Sequence, residues 1–388
     1  MPDYFELSLA AHKLAHGKIE IKTKLPVETR EDLSLAYTPG VARPCMVIAE
    51  NPERAYDLTI KGNSVGIVTD GSAVLGLGNI GGLAAAPVME GKALLFKEFA
   101  GINAWPICLD TQDTAEIIET VRRIAPIFGG INLEDIAAPR CFEIEDSLQD
   151  LGIPVFHDDQ HGTAIVLLAA LLNAERVTGK KMGDMRVVIN GAGAAGTAIA
   201  KMLRCVGHDP DVCVPVAEVI MCDSKGAVHA GREGLSPEKK DLLAYTNPEG
   251  RAGSLKEVIE GADVFIGVSK GNLLDGDDVR RMNDGAIILA MANPMPEIMP
   301  EDALAAGAAI VCTGRSDFPN QVNNSLAFPG VFRGALDARA SKITSRMKIA
   351  AAHALADAVA SPSAEEVIPH PLDRSVTGKV AEAVRGAT

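Results

Sequence analysis

Apolar positions fall into two successive series of short strand-like runs, each alternating with longer segments of helical spacing. Residues 5–16 have helical spacing, and a Pro- and Gly-punctuated stretch follows over 25–44. A βα rhythm then begins. Strands are expected at 65–68, 105–109, 130–132 and 154–156, with helices over 89–99, 115–124 and 142–151. These four strands run out into carboxylates: Asp70, Asp110, Glu134 with Asp135, and Asp158 with Asp159. In open α/β sheets ligands bind beyond the carboxyl ends of the strands, so the recurrence marks a site-bearing domain over 1–160. A long apolar helix over 162–177 connects to a second series. Its strands are expected at 186–189, 219–222, 263–268, 286–290 and 309–311. An Ala-rich helical segment over 335–360 opens a tail, 336–388, that packs back on the body.

Composition narrows the class. With 47% hydrophobic and 23% charged residues among 388, the chain is globular and has enough length for two or three cores. A formal charge of -14 and no Lys/Arg cluster argue against nucleic-acid or anionic-membrane binding. The longest apolar run, 164–172, is too short to span a bilayer, and the N-terminus has no secretory pattern. Seven scattered Cys without a C-x-x-C pair read as structural thiols in a reducing cytoplasm.

The first strong motif is Gly191-Ala192-Gly193-Ala194-Ala195-Gly196, between a strand at 185–190 and a helix at 197–204. Gly191 permits the tight turn, Gly193 lets the backbone approach a pyrophosphate, and Gly196 lets helix and strand pack closely. Ala194 and Ala195 place backbone N–H groups at the helix N-terminus, where phosphates are favoured. Residues 161–335 are therefore expected to form a doubly wound Rossmann-type domain binding NAD or NADP. Asp223, after the next strand, suits ribose hydroxyls and hence NAD, while nearby Lys225 suits a 2′-phosphate. The choice stays open.

Glu134, Asp135, Asp158 and Asp159 lie after two strands that would converge if they are near neighbours. Acids at strand ends are more often solvated or N-capping. Three facing one point, however, need a cation, and oxygen ligands suit Mg²⁺ or Mn²⁺ better than Zn²⁺. His157-Asp158-Asp159-Gln160-His161 superficially offers two His at i, i+4. It has Asp where the zinc motif H-E-x-x-H has Glu, and its first His belongs to a strand end.

Taken in order, further segments resemble the malic enzymes, particularly their short bacterial form, from Ser34 to about Ala360. Ser34-Leu35-Ala36-Tyr37-Thr38-Pro39-Gly40 is similar to the family's tyrosine motif. Asp70-Gly71 with Leu75-Gly76-Leu77-Gly78-Asn79 is similar to its glycine-rich segment, and Pro87-Val88-Met89-Glu90-Gly91-Lys92 to its lysine region. Asn132-Leu133-Glu134-Asp135 and His157-Asp158-Asp159-Gln160-His161-Gly162 resemble the metal motifs. Ala292-Asn293-Pro294 and Asn323-Asn324 with Phe328-Pro329-Gly330 resemble the asparagine motifs. The resemblance implies Tyr37 as general acid and Lys92 as general base that also touches substrate. It implies Glu134, Asp135 and Asp159 as metal ligands, with Asp158 beside them in the catalytic group. Asn293 and Asn324 are implied to contact malate or pyruvate, with Asn293 also near the cofactor. It further implies a homodimer with Tyr37 near the partner subunit. Ala73 stands where larger relatives carry an Arg, so the cation for the distal carboxylate is not assigned.

The implied chemistry is oxidative decarboxylation of malate. A base takes the hydroxyl proton, a nicotinamide takes the hydride, and the C2 carbonyl accepts the electrons released when C4 leaves as CO₂. For Lys92 to act as that base its amine must be neutral, so its pKa is expected to fall with burial and an adjacent dication. The nearest rival is a malolactic-type decarboxylase that retains NAD and releases lactate. An amino-acid dehydrogenase has no need of a carboxylate triad, and a non-catalytic sensor has no need of Lys92.

Overall fold

The computed structural model describes residues 4–74, 76–209 and 211–388. Four parallel strands form the first sheet: β1 (Ser64–Thr69), β2 (Asn103–Cys108), β3 (Gly130–Leu133) and β4 (Val155–His157). Their order is β2-β1-β3-β4. All six residues of β1 are buried, as expected of a parallel strand covered on both faces. The chain reverses direction across the sheet between β1 and β3, which opens a crevice beyond their carboxyl ends.

A second sheet holds β5 (Arg186–Asn190), β6 (Glu218–Asp223), β7 (Gly226–Ala227), β8 (Val264–Gly267), β9 (Ile287–Ala290) and β10 (Ile310–Thr313). The order is β10-β9-β8-β5-β6-β7, parallel except for β7, which folds back antiparallel on β6. The corresponding switch point lies between β5 and β8, where the glycine loop leaves β5. The chain is thus a two-sheet α/β protein with a doubly wound second half.

Several boundaries differ from the sequence reading. The helix expected from 89 starts seven residues earlier, as Gly82–Ala100, because Pro87 masks its first turns. The helix expected from 162 is Asp158–Thr178, so it crosses the expected boundary at 160 and draws Asp158 and Asp159 into its first turn. Acidic side chains favour that position because it carries the positive end of the helix dipole. The single helix expected over 335–360 is interrupted: Phe328–Asp337 ends just inside the tail, Ser345–Ala358 follows, and Arg374–Gly386 closes the tail. The last buries Val376, Val380 and Val384, one i, i+4 stripe, against the other two. Cysteine usage also differs: Cys205 and Cys213 form a disulfide, while the other five are thiols.

Aromatic packing joins the two halves. The Phe96 ring meets Phe328 at 4.7 Å and Phe332 at 5.3 Å between centroids, and Phe332 meets Phe156 at 5.8 Å. All four side chains are fully buried. Each contributes roughly 1.5–3 kcal/mol of burial, with about 0.5–1.5 kcal/mol more per aromatic pair. The helices Gly82–Ala100 and Phe328–Asp337 are thereby fixed against β4. By contrast, no residue described between 4 and 63 is buried.

Candidate active site

The site begins with strand adjacency. β3 and β4 are direct neighbours, with Leu133 opposite His157, so the residues that follow each strand emerge side by side. Glu134, Asp135 and Asp159 each bring one carboxylate oxygen within 4.8 Å of the others. The Asp159 carboxylate accepts the backbone N–H of Asp135 at 2.8 Å, tying the loop after β3 to the helix that follows β4. Asp135 adopts a left-handed backbone, φ 55°, which a short polar side chain tolerates better than most. The other strand ends do different work. Asp70 is buried and bonded to Arg140 at 2.7 Å and Ser72 at 2.5 Å, while Asp110 is exposed.

Lys92 projects from the helix Gly82–Ala100 into this acidic cluster. Its ammonium donates to Asp158 Oδ2 at 2.5 Å and lies 2.8 Å from Glu134 Oε1, with the Phe328 ring 4.3 Å beneath it. Only 7% of Lys92 and none of Asp158 is exposed. Burial alone pushes the amine down, as the sequence suggested. Asp158, Glu134 and Asp159 outweigh it and hold Lys92 above its ordinary value, as the ammonium. The expected fall thus does not occur among the carboxylates alone.

Four carboxyls face one ammonium, so negative charge is left over. Burial, then Asp159 and Glu134, push Asp135 up to about 9. Asp135 Oδ2 and Asp158 Oδ1 are buried without hydrogen-bond partners. Closely spaced acceptors with orphaned oxygens and surplus charge fit a hard divalent cation such as Mg²⁺ or Mn²⁺.

A layer behind the cluster holds it in place. Glu145, from the helix Arg140–Ser147, accepts the backbone N–H of His157 at 3.1 Å, Gln160 Nε2 at 3.1 Å and His161 Nε2 at 3.0 Å. Burial would raise Glu145, but His161 and then Lys348 hold it down at about 2. The first turn of Asp158–Thr178 is thereby clamped from below. Gly162 is needed there for space: a Cβ would stand 1.8 Å from Asp158 Oδ1 and 3.1 Å from Asn324 Cβ. The same geometry shows that Asn324 borders Asp158. Asn293 follows β9, and its carbonyl would lie 3.5 Å from a Cβ placed on Gly76, so this loop faces the glycine-rich turn of the first half. Leu75 of that turn lies outside the described residues, as does Pro210 in the connection leading to β6. Tyr37 is not drawn in. It caps the helix Arg30–Ala36 and is 67% exposed.

In the second half, Gly191 (φ 129°) would place a Cβ 2.8 Å from the Val268 carbonyl, and Gly196 one at 1.8 Å from the Gly191 carbonyl. Gly193 instead faces open space at the N-cap of the helix Ala194–Leu203. The loop is therefore tight on two sides and open on the side a phosphate would occupy. Asp223 is not a free acceptor. Arg232 and Lys239 both donate to its Oδ2 at 2.5 Å, and the Lys225 N–H donates to Oδ1 at 2.8 Å. Burial raises its carboxyl, but these bonds prevail and hold it at about 2.

Both halves match one family. Residues 16–149 match the malic enzyme N-terminal domain and residues 160–387 the malic enzyme NAD binding domain. The chain belongs to the malic enzyme family. A bifunctional malic/malolactic enzyme of Bacillus subtilis is 56% identical over 386 residues, covering 98% of this chain and 92% of that protein. An NAD-dependent malic enzyme of Geobacillus stearothermophilus is also 56% identical, covering 95% of this chain and 76% of that one. The crystal structure of an NAD-dependent malic enzyme from Thermotoga maritima superposes with a TM-score of 0.93 at 47% identity, covering all of both chains. This malic enzyme fold therefore pairs an NAD-binding half with a half whose acidic cluster suits a divalent ion.

Sequence reasoning did not single out Arg140, Glu145, Arg232 or Lys239. His161 within the metal motif was a signal for a partner acid such as Glu145. The others depend on loops whose course no spacing rule gives.

Proposed function

We propose that this chain oxidatively decarboxylates malate to pyruvate and CO₂, reducing NAD(P)⁺ with a divalent metal ion. One observation carries the reading: Lys92 is bonded to Asp158 and Glu134 at the edge of the cluster formed by Glu134, Asp135 and Asp159. Those three would hold Mg²⁺ or Mn²⁺. The bound ion supplies Lewis acidity that stabilises negative charge on the substrate C2 oxygen, and the bound dinucleotide supplies the hydride acceptor.

The rest falls to the chain's own groups. Lys92 is the proton acceptor for the substrate hydroxyl, and Asp158 fixes its Nζ and shares the proton. With a divalent cation held by Glu134, Asp135 and Asp159, these carboxylates would stabilise the ammonium less, and the neutral amine of Lys92 would become accessible. Asn324, beside Asp158, and Asn293, on the loop facing Gly76, would bond the substrate carboxylate and carbonyl, with Asn293 also on the nucleotide side. Phe328 and its aromatic neighbours keep water from beneath Lys92. Gly191, Gly193, Ala194, Ala195 and Gly196 cradle the pyrophosphate, and Asp223 borders the adenosine ribose.

Tyr37 is the proton donor to C3 of the enolpyruvate product, supplied across a homodimer. Support comes from the segment that bears it. Tyr4, Leu7, Leu14, Ile21, Leu35 and Tyr37 are more than half exposed on a stretch with no buried residue, as a face covered by a second copy would be. The reading also takes 1–160 as the malate and metal unit, 161–335 as the nucleotide unit, and the cytoplasm as the location. No helix among the described residues is long and apolar enough to cross a membrane.

Initial rates with malate and Mn²⁺, following reduced dinucleotide by its near-ultraviolet absorbance, test the reaction. Accumulation of NADH or NADPH with stoichiometric pyruvate supports it. Lactate formed without free NADH would make the malolactic course, named for the Bacillus relative, the main one.

A further inference from the structure

The end of β6 lies beside the glycine loop. β5 and β6 pair in parallel with Asn190 opposite Cys222, and the Gly191 N–H donates to the Cys222 carbonyl at 2.9 Å. A dinucleotide whose pyrophosphate rests on residues 191–196 therefore lays its adenosine ribose over the next residue, Asp223. In an NAD-selective site that acid is a free acceptor for the 2′- and 3′-hydroxyls. Here Oδ2 already accepts from two cations and Oδ1 from the Lys225 N–H.

Charge points the same way. Arg232 and Lys239 against one Asp223 leave a net positive charge at the ribose edge. Arg232 is preorganised: its Nη1 also donates to the Gly226 and Ala227 carbonyls at 3.2 and 3.1 Å, and its side chain is 13% exposed. Lys239, from the short helix Pro237–Leu242, is 30% exposed and reachable. Ribose hydroxyls need acceptors, whereas a phosphate needs cations and N–H donors, and both cations bring donors that Asp223 does not use up.

We propose that Arg232 and Lys239 form a phosphate-binding pair at the adenosine end of the dinucleotide site, taking the 2′-phosphate of NADP in preference to the bare ribose of NAD. This rests on the reading of residues 191–196 as the pyrophosphate loop, but not on the malate chemistry.

Calorimetric binding of 2′,5′-ADP and of 5′-AMP to the intact protein tests it without turnover. The wild type should bind 2′,5′-ADP at least about tenfold more tightly than 5′-AMP, and added salt should narrow the gap. Lys239→Gln and Arg232→Gln should each cut that preference to about threefold or less. Arg232 also braces two carbonyls, so Lys239→Gln, with an unchanged melting temperature, is the decisive variant. Equal binding of the two nucleotides by the wild type, or a preference that survives both substitutions, overturns the proposal. If the preference holds but malate yields no reduced dinucleotide, the proposed reaction fails and the phosphate pair stands.

Discussion

Lys92 Nζ lies 2.5 Å from Asp158 Oδ2, and both side chains are shut away from water. Neither group could hold a charge there alone, since an unpaired buried ion is strongly disfavoured. Their pairing places a transferable proton next to the acidic cluster. Lys92→Ala should therefore lower kcat by about a hundred- to ten-thousandfold. Asp158→Asn should lower kcat more than it raises the KM for malate, because it disturbs the proton and not the carboxylate contacts. Steady-state kinetics at saturating Mn²⁺ measure both, and a variant that changes KM alone would remove Lys92 from the proton path.

Glu134, Asp135 and Asp159 gather their oxygens within 4.8 Å where the loop after β3 meets the first turn of the helix Asp158–Thr178, joined there by the Asp135 N–H donating to the Asp159 carboxylate. Glu134→Gln, Asp135→Asn or Asp159→Asn should weaken Mn²⁺ binding more than about a hundredfold. Each should also abolish the thermal stabilisation by Mn²⁺, which for the wild type is about 2.7 kcal/mol at a hundred times Kd. Titration calorimetry and melting curves with and without chelator report on this. Full-strength Mn²⁺ binding by any of the three would exclude that residue as a ligand.

Tyr37 is exposed while Lys92 is buried. If the tyrosine serves a partner's site, Tyr37→Phe and Lys92→Ala are complementary defects. Chains of the two variants co-expressed in equal amounts should recover about a quarter of wild-type activity, from hybrid dimers with one intact site. Activity no greater than the average of the two pure variants would place both residues in one chain's site.

Glu145 is buried beneath the metal-motif helix and held at about 2 by His161 and Lys348. Its folded value lies below its ordinary one, so its contribution is complete above the ordinary carboxyl range and fades as pH falls through about 2. Urea unfolding should show wild type more stable than Glu145→Gln at pH 7, with the two converging as acid is added. A gap that stays constant down to the folded value would mean that Glu145 acts through packing alone.

Much of this architecture is legible in the chain. Parallel strands buried on both faces read as short apolar runs, and the glycine loop shows itself by the strand and helix around it. What periodicity does not disclose is adjacency. That β3 neighbours β4, and so brings Glu134 to Asp159, depends on the order of strands in the sheet. The Asp158–Thr178 start was obscured because Val155 and Phe156 continue an extended run to the edge of the acids. Val376, Val380 and Val384 did carry a helical signal, diluted by the polar residues between them. Arg232 and Lys239 lie 9 and 16 residues beyond Asp223, and only the fold of that loop returns them to it. Cys205 and Cys213 likewise follow no spacing signature.

The most direct measurement is a crystal of the protein soaked with Mn²⁺ and malate, read by anomalous scattering at the manganese edge. One strong peak touching Glu134, Asp135 and Asp159, with Lys92 beside the bound acid, is the expected result. A peak elsewhere, or three carboxylates turned away from a metal-free centre at saturating Mn²⁺, would contradict it.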